Sequence, residues 1–585
     1  MSAPGQKDKF TPELRILVAS LLSFGVLILW AKYFGPKPSV QPVQSNRPAV
    51  TAPATPGSAT SSTASPSQAT ASPATMAPAP AVNIPIESDT QERTIVVENT
   101  LYRVEISNRG AVVKSWQLKD YKDDAKPQRV LDVVHAEASQ QTGGWPFSIV
   151  LDDEQLQNAA NTGLFQIASD STSLHAPADV GLAWSDGHLE VTKHFKFDHT
   201  YVVRVETSVK FNGKPITAGL GWLGGFGDLT VTNPAPVETV QTYYSEGGKI
   251  STYPYKKLDD LEKWGPGIWQ GGKEFVGVED RYFTAAFLPP SGTAGGVLET
   301  RYWKSWRTAH VNGQDTAEPV PQVAAATAKQ PLDLRVYVGP KDYDDLKKMS
   351  PPLHGLINFG WLEFVAEPLF HGLKWLHKYI PNWGWAIVVL TLVINMLFFP
   401  LRISSYKTTL KMQKVAPEIK AIQEKYKKYK FNDPRKQEMQ KETMAIYQRE
   451  GISLGGGCLP MLLQMPLWFG LNTALRYAIE MRHATWLWIV DLSSKDPLYV
   501  LPVLMGVSMY LVSKMTPMTA TDPQQQMMMK IMPIGMAGMF MISPISSGLA
   551  VYILTSSVIG IVQQWYLNKT HPAPVPAKPV RGKKS

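Results

Sequence analysis

Several polar side chains sit inside stretches of this 585-residue chain that carry no charge. Thr391 and Asn395 lie in the run 379–401 and, four apart, share one helical face. Gln464, Asn472 and Thr473 lie in the run 451–475, Ser508 and Ser513 in 497–513, and Tyr552, Thr555, Ser556 and Ser557 in 531–568. What hydroxyls and amides offer in such a setting is hydrogen bonding. A polar group in hydrocarbon is costly unless paired or wetted, so these side chains should face inward. Two readings follow. The groups are glue between helices, which Ser, Thr and Asn commonly supply. Alternatively they line a wetted cavity, fed by several helices beside a basic segment, 402–450. For the second reading the lining residues are Thr391, Asn395, Gln464, Ser508, Ser513 and Tyr552.

Other chemistry finds little support. Gly219, Gly221 and Gly224 match GxGxxG, but more glycine and a β-like stretch, 229–232, follow where a nucleotide-binding helix should start. A Gly-rich β turn is the better reading. There is no Walker A sequence, no HExxH, and the 11 histidines are scattered. The one cysteine, Cys458, excludes an intramolecular disulfide and a CxxC site. No metal or cofactor is expected. Arg476, the one basic residue well inside an apolar run, is predicted to pair with Glu480. Methionines crowd positions 515–541, either as ordinary packing or as a compliant surface for varied apolar sequences.

The elements that must hold these groups are spans. The net charge is +9, but residues 32–380 carry 32 basic and 37 acidic groups, whereas the terminal parts carry 26 and 12. Such segregation suggests two sides of a membrane. A helix crossing ~30 Å of hydrocarbon needs about 20 residues. That measure gives spans at 381–401, 456–477 and 497–515. The run 531–568 would be about 57 Å of helix, too long for one crossing. The break at Ser543, Pro544 and Gly548 divides it into spans 531–543 and 549–567. A sixth span, 14–34, follows a short N-terminus, 1–13, and lacks a good cleavage site, so it reads as an uncleaved anchor.

Basic residues orient the spans. Segment 402–450 has 13 basic and 6 acidic groups, and the tail 568–585 holds Lys569, Lys578, Arg581, Lys583 and Lys584, which puts both in the cytoplasm. Residues 402–453 are predicted to form a helical hairpin with a seam of Met412, Val415, Ile419, Ile422, Tyr426 and Tyr429. Loops 478–496 and 516–530 lie outside and inside respectively. On the far side, 35–85 is a flexible linker, since 36 of the 50 residues in 36–85 are Pro, Ala, Ser or Thr. Residues 86–345 alternate like strands at 94–97, 102–106, 111–118, 189–195, 201–211 and 333–338, an all-β unit. Residues 354–379 read as one amphipathic interfacial helix bent at Pro368, with Glu363, Glu367, His371, Lys374 and Lys378 as its polar stripe. The fold class is a polytopic α-helical membrane protein of six transmembrane helices carrying an all-β domain.

The stretches 382–384, 399–401, 454–460, 464–466, 491–493, 501–507 and 547–549 resemble the YidC/Oxa/Alb family of membrane protein insertases, densely over 350–570. The anchor and β unit look like its Gram-negative form, whose periplasmic domain is a β-supersandwich. The resemblance implies a five-helix core with a hydrophilic groove open to cytoplasm and lipid. There the polar flank of a nascent membrane protein is received while its apolar segment slides into lipid. Thr391 and Tyr552 match family positions tied to substrate contact. Lys420, Lys425, Lys427, Lys428, Lys583 and Lys584 match parts that face the ribosome and the signal recognition pathway. The implied partners are nascent membrane proteins, the Sec translocon with its accessory subunits, and membrane lipids, without direct DNA binding. The implied location is the inner membrane, with both termini cytoplasmic and the large domain periplasmic. Two departures stand out: Asn395 where the family usually has arginine, which would leave the groove without its fixed positive charge, and Ile553 where it usually has an aromatic residue. A mutarotase-like carbohydrate-binding protein or enzyme anchored to the membrane is the alternative. A transporter would need an inverted repeat, which the spans do not display.

Overall fold

The computed structural model describes residues 84–169, 171–228, 230, 240–254, 269–293, 295–311, 314–429, 433–452, 459–517, 523–542 and 545–572. The predicted anchor 14–34, nearly all of the linker, and Lys583 and Lys584 lie outside the described residues.

Each stretch singled out for alternation is a strand, among them Thr94–Glu98, Val112–Lys122, Leu189–Phe197 and Val202–Phe211. The period of two works as expected. In Leu189–Phe197 the residues Leu189, Val191, Phe195 and Phe197 are buried, with polar residues between them. The strands form one ten-stranded sheet and two five-stranded sheets. Pairing is antiparallel, except that Thr94–Glu98 also runs parallel to Ser173–His175. Trp116, Phe147, Phe195 and Trp222 meet in the shared core, with Trp116 and Phe147 stacked at 6.2 Å. Helices α1 (Ala136–Thr142) and α2 (Glu154–Thr162) interrupt the strands.

Lys193 also faces this core and is fully buried. Its Nζ donates to the carbonyls of Gly110, Ala111 and Phe147 at 2.9, 3.0 and 2.7 Å. Three acceptors make the burial tolerable, yet burial still pushes its pKa down to about 7. The glycine motif is a β feature. Gly219–Trp222 is a strand between Ser148–Val150 and the 314–327 strand, and no helix begins there. Gly224 has φ +88°, and a Cβ on it would lie 2.0 Å from the Ser139 hydroxyl.

After α3 (Tyr343–Lys348) the chain becomes helical. The helix predicted over 354–379 is shorter. Two 3-10 turns, His354–Leu356 and Gly360–Leu362, precede α4 (Glu363–Tyr379). Gly360 takes φ +70° while Asn358 Oδ1 accepts its N–H at 2.8 Å, and that turn stops a continuous helix. The span predicted at 381–401 is also divided. Helix α5 (Trp383–Leu397) and helix α6 (Phe399–Tyr426) meet at a 54° bend, with Pro400 in the first turn of α6. There follow α7 (Arg435–Arg449), α8 (Leu459–Tyr477), α9 (Val500–Met515), α10 (Pro523–Ile542) and α11 (Ser547–Thr570). Helix α10 starts inside the predicted loop 516–530, because Gln524–Met529 favours helix once Pro523 has supplied the first turn.

Among the described residues α11 alone is by itself long and apolar enough to cross a membrane; α5 with α6 passes the same measure as a bent pair, and α9 is apolar but shorter. Apolar side chains stay exposed on these helices, including Val393, Met396 and Leu397 of α5, Val507 of α9, and Val562 and Trp565 of α11. Exposed apolar faces of this extent mark contact with lipid or protein. Helices α6 and α7 pack together as a hairpin, with Val415, Ile419 and Ile446 buried between them.

The β region and the helices are tied through the loop after α8. Arg482 and Asp228 pair with both side chains almost fully buried, and His483 Nε2 meets Asp124 Oδ1 at 2.7 Å. Lys374 of α4 reaches Glu480 at 3.1 Å and Asp344 at 2.7 Å.

Candidate functional site

Helix α11 carries polar groups along a flank that packs on α5 and α9. Tyr552, Ser556, Gly560 and Gln563 follow one another at steps of four, four and three, so they stack on one helical face. Their spread is about 17 Å at ~1.5 Å per residue.

Partners from three other helices meet this ladder. Asn395 of α5 donates through Nδ2 to the Thr391 carbonyl at 2.8 Å and to Ser556 Oγ at 3.4 Å. Gln563 Nε2 donates to the Asn395 carbonyl at 3.2 Å. Gln563 Oε1 accepts from Arg402 Nη1 at 2.8 Å, and Arg402 Nη2 reaches the Gly560 carbonyl at 3.4 Å. Gln464 of α8 donates to the Tyr552 hydroxyl at 3.4 Å. Deeper along α11, Tyr406 and Gln564 both donate to Asn568 Oδ1, at 2.8 and 2.9 Å.

The predicted residues are therefore sorted by the structure. Asn395 sits beside Thr391 and against α11, and Gln464 sits against Tyr552. Ser508 is buried and its hydroxyl donates to the Met505 carbonyl at 2.9 Å within its own helix. Ser513 is half-buried further along α9. Uniform wetting is not what the geometry gives. Thr391 and Tyr552 are 0% and 1% exposed, and Thr391 Oγ1 donates to the Ile387 carbonyl at 2.7 Å. Asn395 and Arg402 are half-buried, and Gln464 is exposed. Thr391 is thus spent as helix packing, while Asn395, Gln464 and Arg402 keep an open side.

Sequence reasoning missed Arg402 and Gln563. Arg402 stands one residue past a charge-free run and looked like the start of the cytoplasmic segment. Its signal was periodicity: it lies eleven residues beyond Thr391, three helical turns. A positive charge therefore lies close to Asn395. A guanidinium reaches the same hydrogen-bonded path from α6, held by neutral acceptors, with no carboxylate paired to it among the described residues.

Of the hairpin lysines, Lys420, Lys425, Lys427 and Lys428 are all exposed. Lys425 is occupied by Glu442 at 2.8 Å. Among the described residues no cluster of His, Cys, Asp and Glu is arranged to hold a metal ion.

Two family models match the chain: "60Kd inner membrane protein" over residues 375–574 and "YidC periplasmic domain" over 94–372. A membrane protein insertase YidC of Syntrophus aciditrophicus is 33% identical over 84% of this chain and 87% of its own length. That of Citrifermentans bemidjiense is 35% identical over 95% and 99%. A crystal structure described as active YidC insertase with its first transmembrane domain resolved is 18% identical, covers 83% of this chain and 95% of its own, and has a TM-score of 0.34.

Proposed function

The chain belongs to the family of YidC membrane protein insertases, which are not enzymes, and from that premise we propose how its helices do the work. The β region itself matches the family's periplasmic domain, so the carbohydrate-enzyme alternative is set aside. The substrates are nascent membrane proteins. The hydrogen-bonded path Asn395–Gln563–Arg402, on helices with exposed apolar faces, is the observation that carries the reading.

The polar flank of an incoming chain exchanges water for Asn395, Gln464, Gln563 and Arg402. Unpaired backbone in hydrocarbon costs several kcal/mol per group, and this path lowers that cost during transfer. The apolar segment partitions into lipid along the exposed faces of α5, α9 and α10. Exposed Met527, Met528, Met532 and Met539 suit varied apolar partners there. Arg402 supplies the positive charge that Asn395 does not, and favours substrates with acidic residues near the transferred end. The orientation follows the basic residues: β region in the periplasm, hairpin in the cytoplasm of the inner membrane. Lys420, Lys427 and Lys428 then face the ribosome and targeting factors, and the Sec translocon is a lateral partner.

The test is insertion of a short single-span substrate into vesicles holding only the purified protein, read by protease protection. Protection that is unchanged when Arg402 and Asn395 are both replaced by Leu would remove this assignment.

A further inference from the structure

Arg476 lies one residue before the end of α8 and lines a cleft of about 240 Å3 with Asn472, Thr473, Phe469, Asn358 and Phe359. The sequence predicts that it pairs with Glu480. Glu480 is instead taken by Lys374, and Arg281 Nε of the β region donates to the Arg476 backbone carbonyl at 2.8 Å. The Arg476 guanidinium has no carboxylate partner among the described residues, and no acidic residue lines the cleft. Asn358 Oδ1 is used by the Gly360 N–H, which leaves its amide nitrogen as a donor. Thr473 donates to the Phe469 carbonyl at 3.0 Å and keeps its acceptor side. The cleft thus offers one full positive charge and amide donors, with no opposing anion. A planar guanidinium matches phosphate oxygens in pairs.

We infer that this cleft binds the phosphodiester headgroup of a membrane lipid in the leaflet nearest the β region. The source is a lipid rather than free phosphate because the cleft's rim is apolar. Its lining includes Phe359, Leu362 and Phe469, with Phe469 40% exposed, and Phe364 in the first turn of the neighbouring α4 is 73% exposed. At about 240 Å3 the cleft is below the ~300–1,000 Å3 that encloses a drug-sized molecule, so it takes a headgroup and leaves the chains outside. The inference rests on the membrane placement proposed above. It concerns a site separate from the Asn395–Arg402 path.

The experiment uses the purified full-length chain in detergent and titrates short-chain phosphatidylglycerol, with inorganic phosphate alone as the second arm. Arg476→Gln should weaken lipid binding about tenfold, a loss of ~1.4 kcal/mol. Arg476→Lys should recover part of it, and Asn472→Ala should weaken it by a smaller factor. Equal affinity of wild type and Arg476→Gln overturns the inference. Inorganic phosphate that binds as tightly as the lipid also overturns it, in favour of a free-anion site. Should Arg476→Gln fail to fold, an unchanged affinity in Asn472→Ala is the overturning result. Insertion activity of the wild type, assayed separately in vesicles, decides the reading of the groove whatever the outcome here.

Discussion

Arg482, on the loop after α8, and Asp228, in the turn that follows Gly224 and Gly227, form an ion pair in which neither side chain is more than 4% exposed. Arg482 also donates to the Lys122 carbonyl at 3.0 Å and lies over the Phe283 ring at 5.3 Å. The β region is therefore fixed to the helical part by a buried charge pair as well as by the chain that joins them.

Removing one member of such a pair strands the other. Arg482→Ala should destabilise the folded chain by about 3–5 kcal/mol. Differential scanning of the purified protein in detergent would register this as a lowered or divided melting transition. A melting profile identical to wild type would show that the pair contributes nothing.

Asp124, beside the same pair, responds to pH. The hydrogen bond from His483 above all, and then the Arg482 charge, hold its carboxyl below the ordinary 3.8 against the opposing effect of burial. A depressed carboxyl contributes stability above its unfolded value and loses it as pH falls through its folded value. Melting temperatures of wild type and Asp124→Asn should therefore differ at pH 6 to 7, and the difference should shrink as pH falls below about 4.

Lys193 works in the opposite sense. Its pKa falls from 10.5 to about 7, so between those values the unfolded chain binds more protons than the folded one. Stability should rise with pH across that window. Lys193→Met removes the titration but leaves three carbonyls to find water. The melting difference between wild type and variant should then widen in favour of wild type from pH 7 to pH 9, measured on the full chain.

Arg402→Gln should slow insertion of a substrate with an acidic flank by about tenfold, the equivalent of ~1.4 kcal/mol, and a neutral-flanked substrate by less. Adding Asn395→Arg to that variant should restore the acidic substrate. Equal slowing of both substrates would assign Arg402 a structural role. A matched pair, Thr391→Val and Tyr552→Phe, keeps side-chain volume while deleting two hydroxyls, and should lower insertion less than Arg402→Gln does.

The strands with regular alternation were legible because burial on one face imposes a period of two, as in Leu189–Phe197. The strand Gln314–Thr327 was not. Its Pro319 and Pro321 argue against a strand, yet they oppose Trp306 and Lys304 in a hairpin stretch that has no second neighbour among the described residues. A missing N–H is tolerated there. The hairpin seam was readable from heptad spacing. The break before α4 was not, since it depends on the φ of Gly360 and a side-chain bond from Asn358. In the site, Asn395 and Tyr552 were visible as polar residues in apolar sequence. Arg402 was hidden by its position at a run's edge, and the Arg482–Asp228 pair spans 254 residues, a separation that no local pattern reports.

The 54° bend between α5 and α6 falls between Asn395 and Arg402. The Asn395 amide belongs to the α5 arm of this elbow and the Arg402 guanidinium to the α6 arm that continues into the hairpin. Gln563 links the two arms, accepting from the Arg402 guanidinium and donating to the Asn395 backbone carbonyl. Arg402 therefore shares one helix with the hairpin lysines Lys420 and Lys425, while Asn395 stands on the other arm.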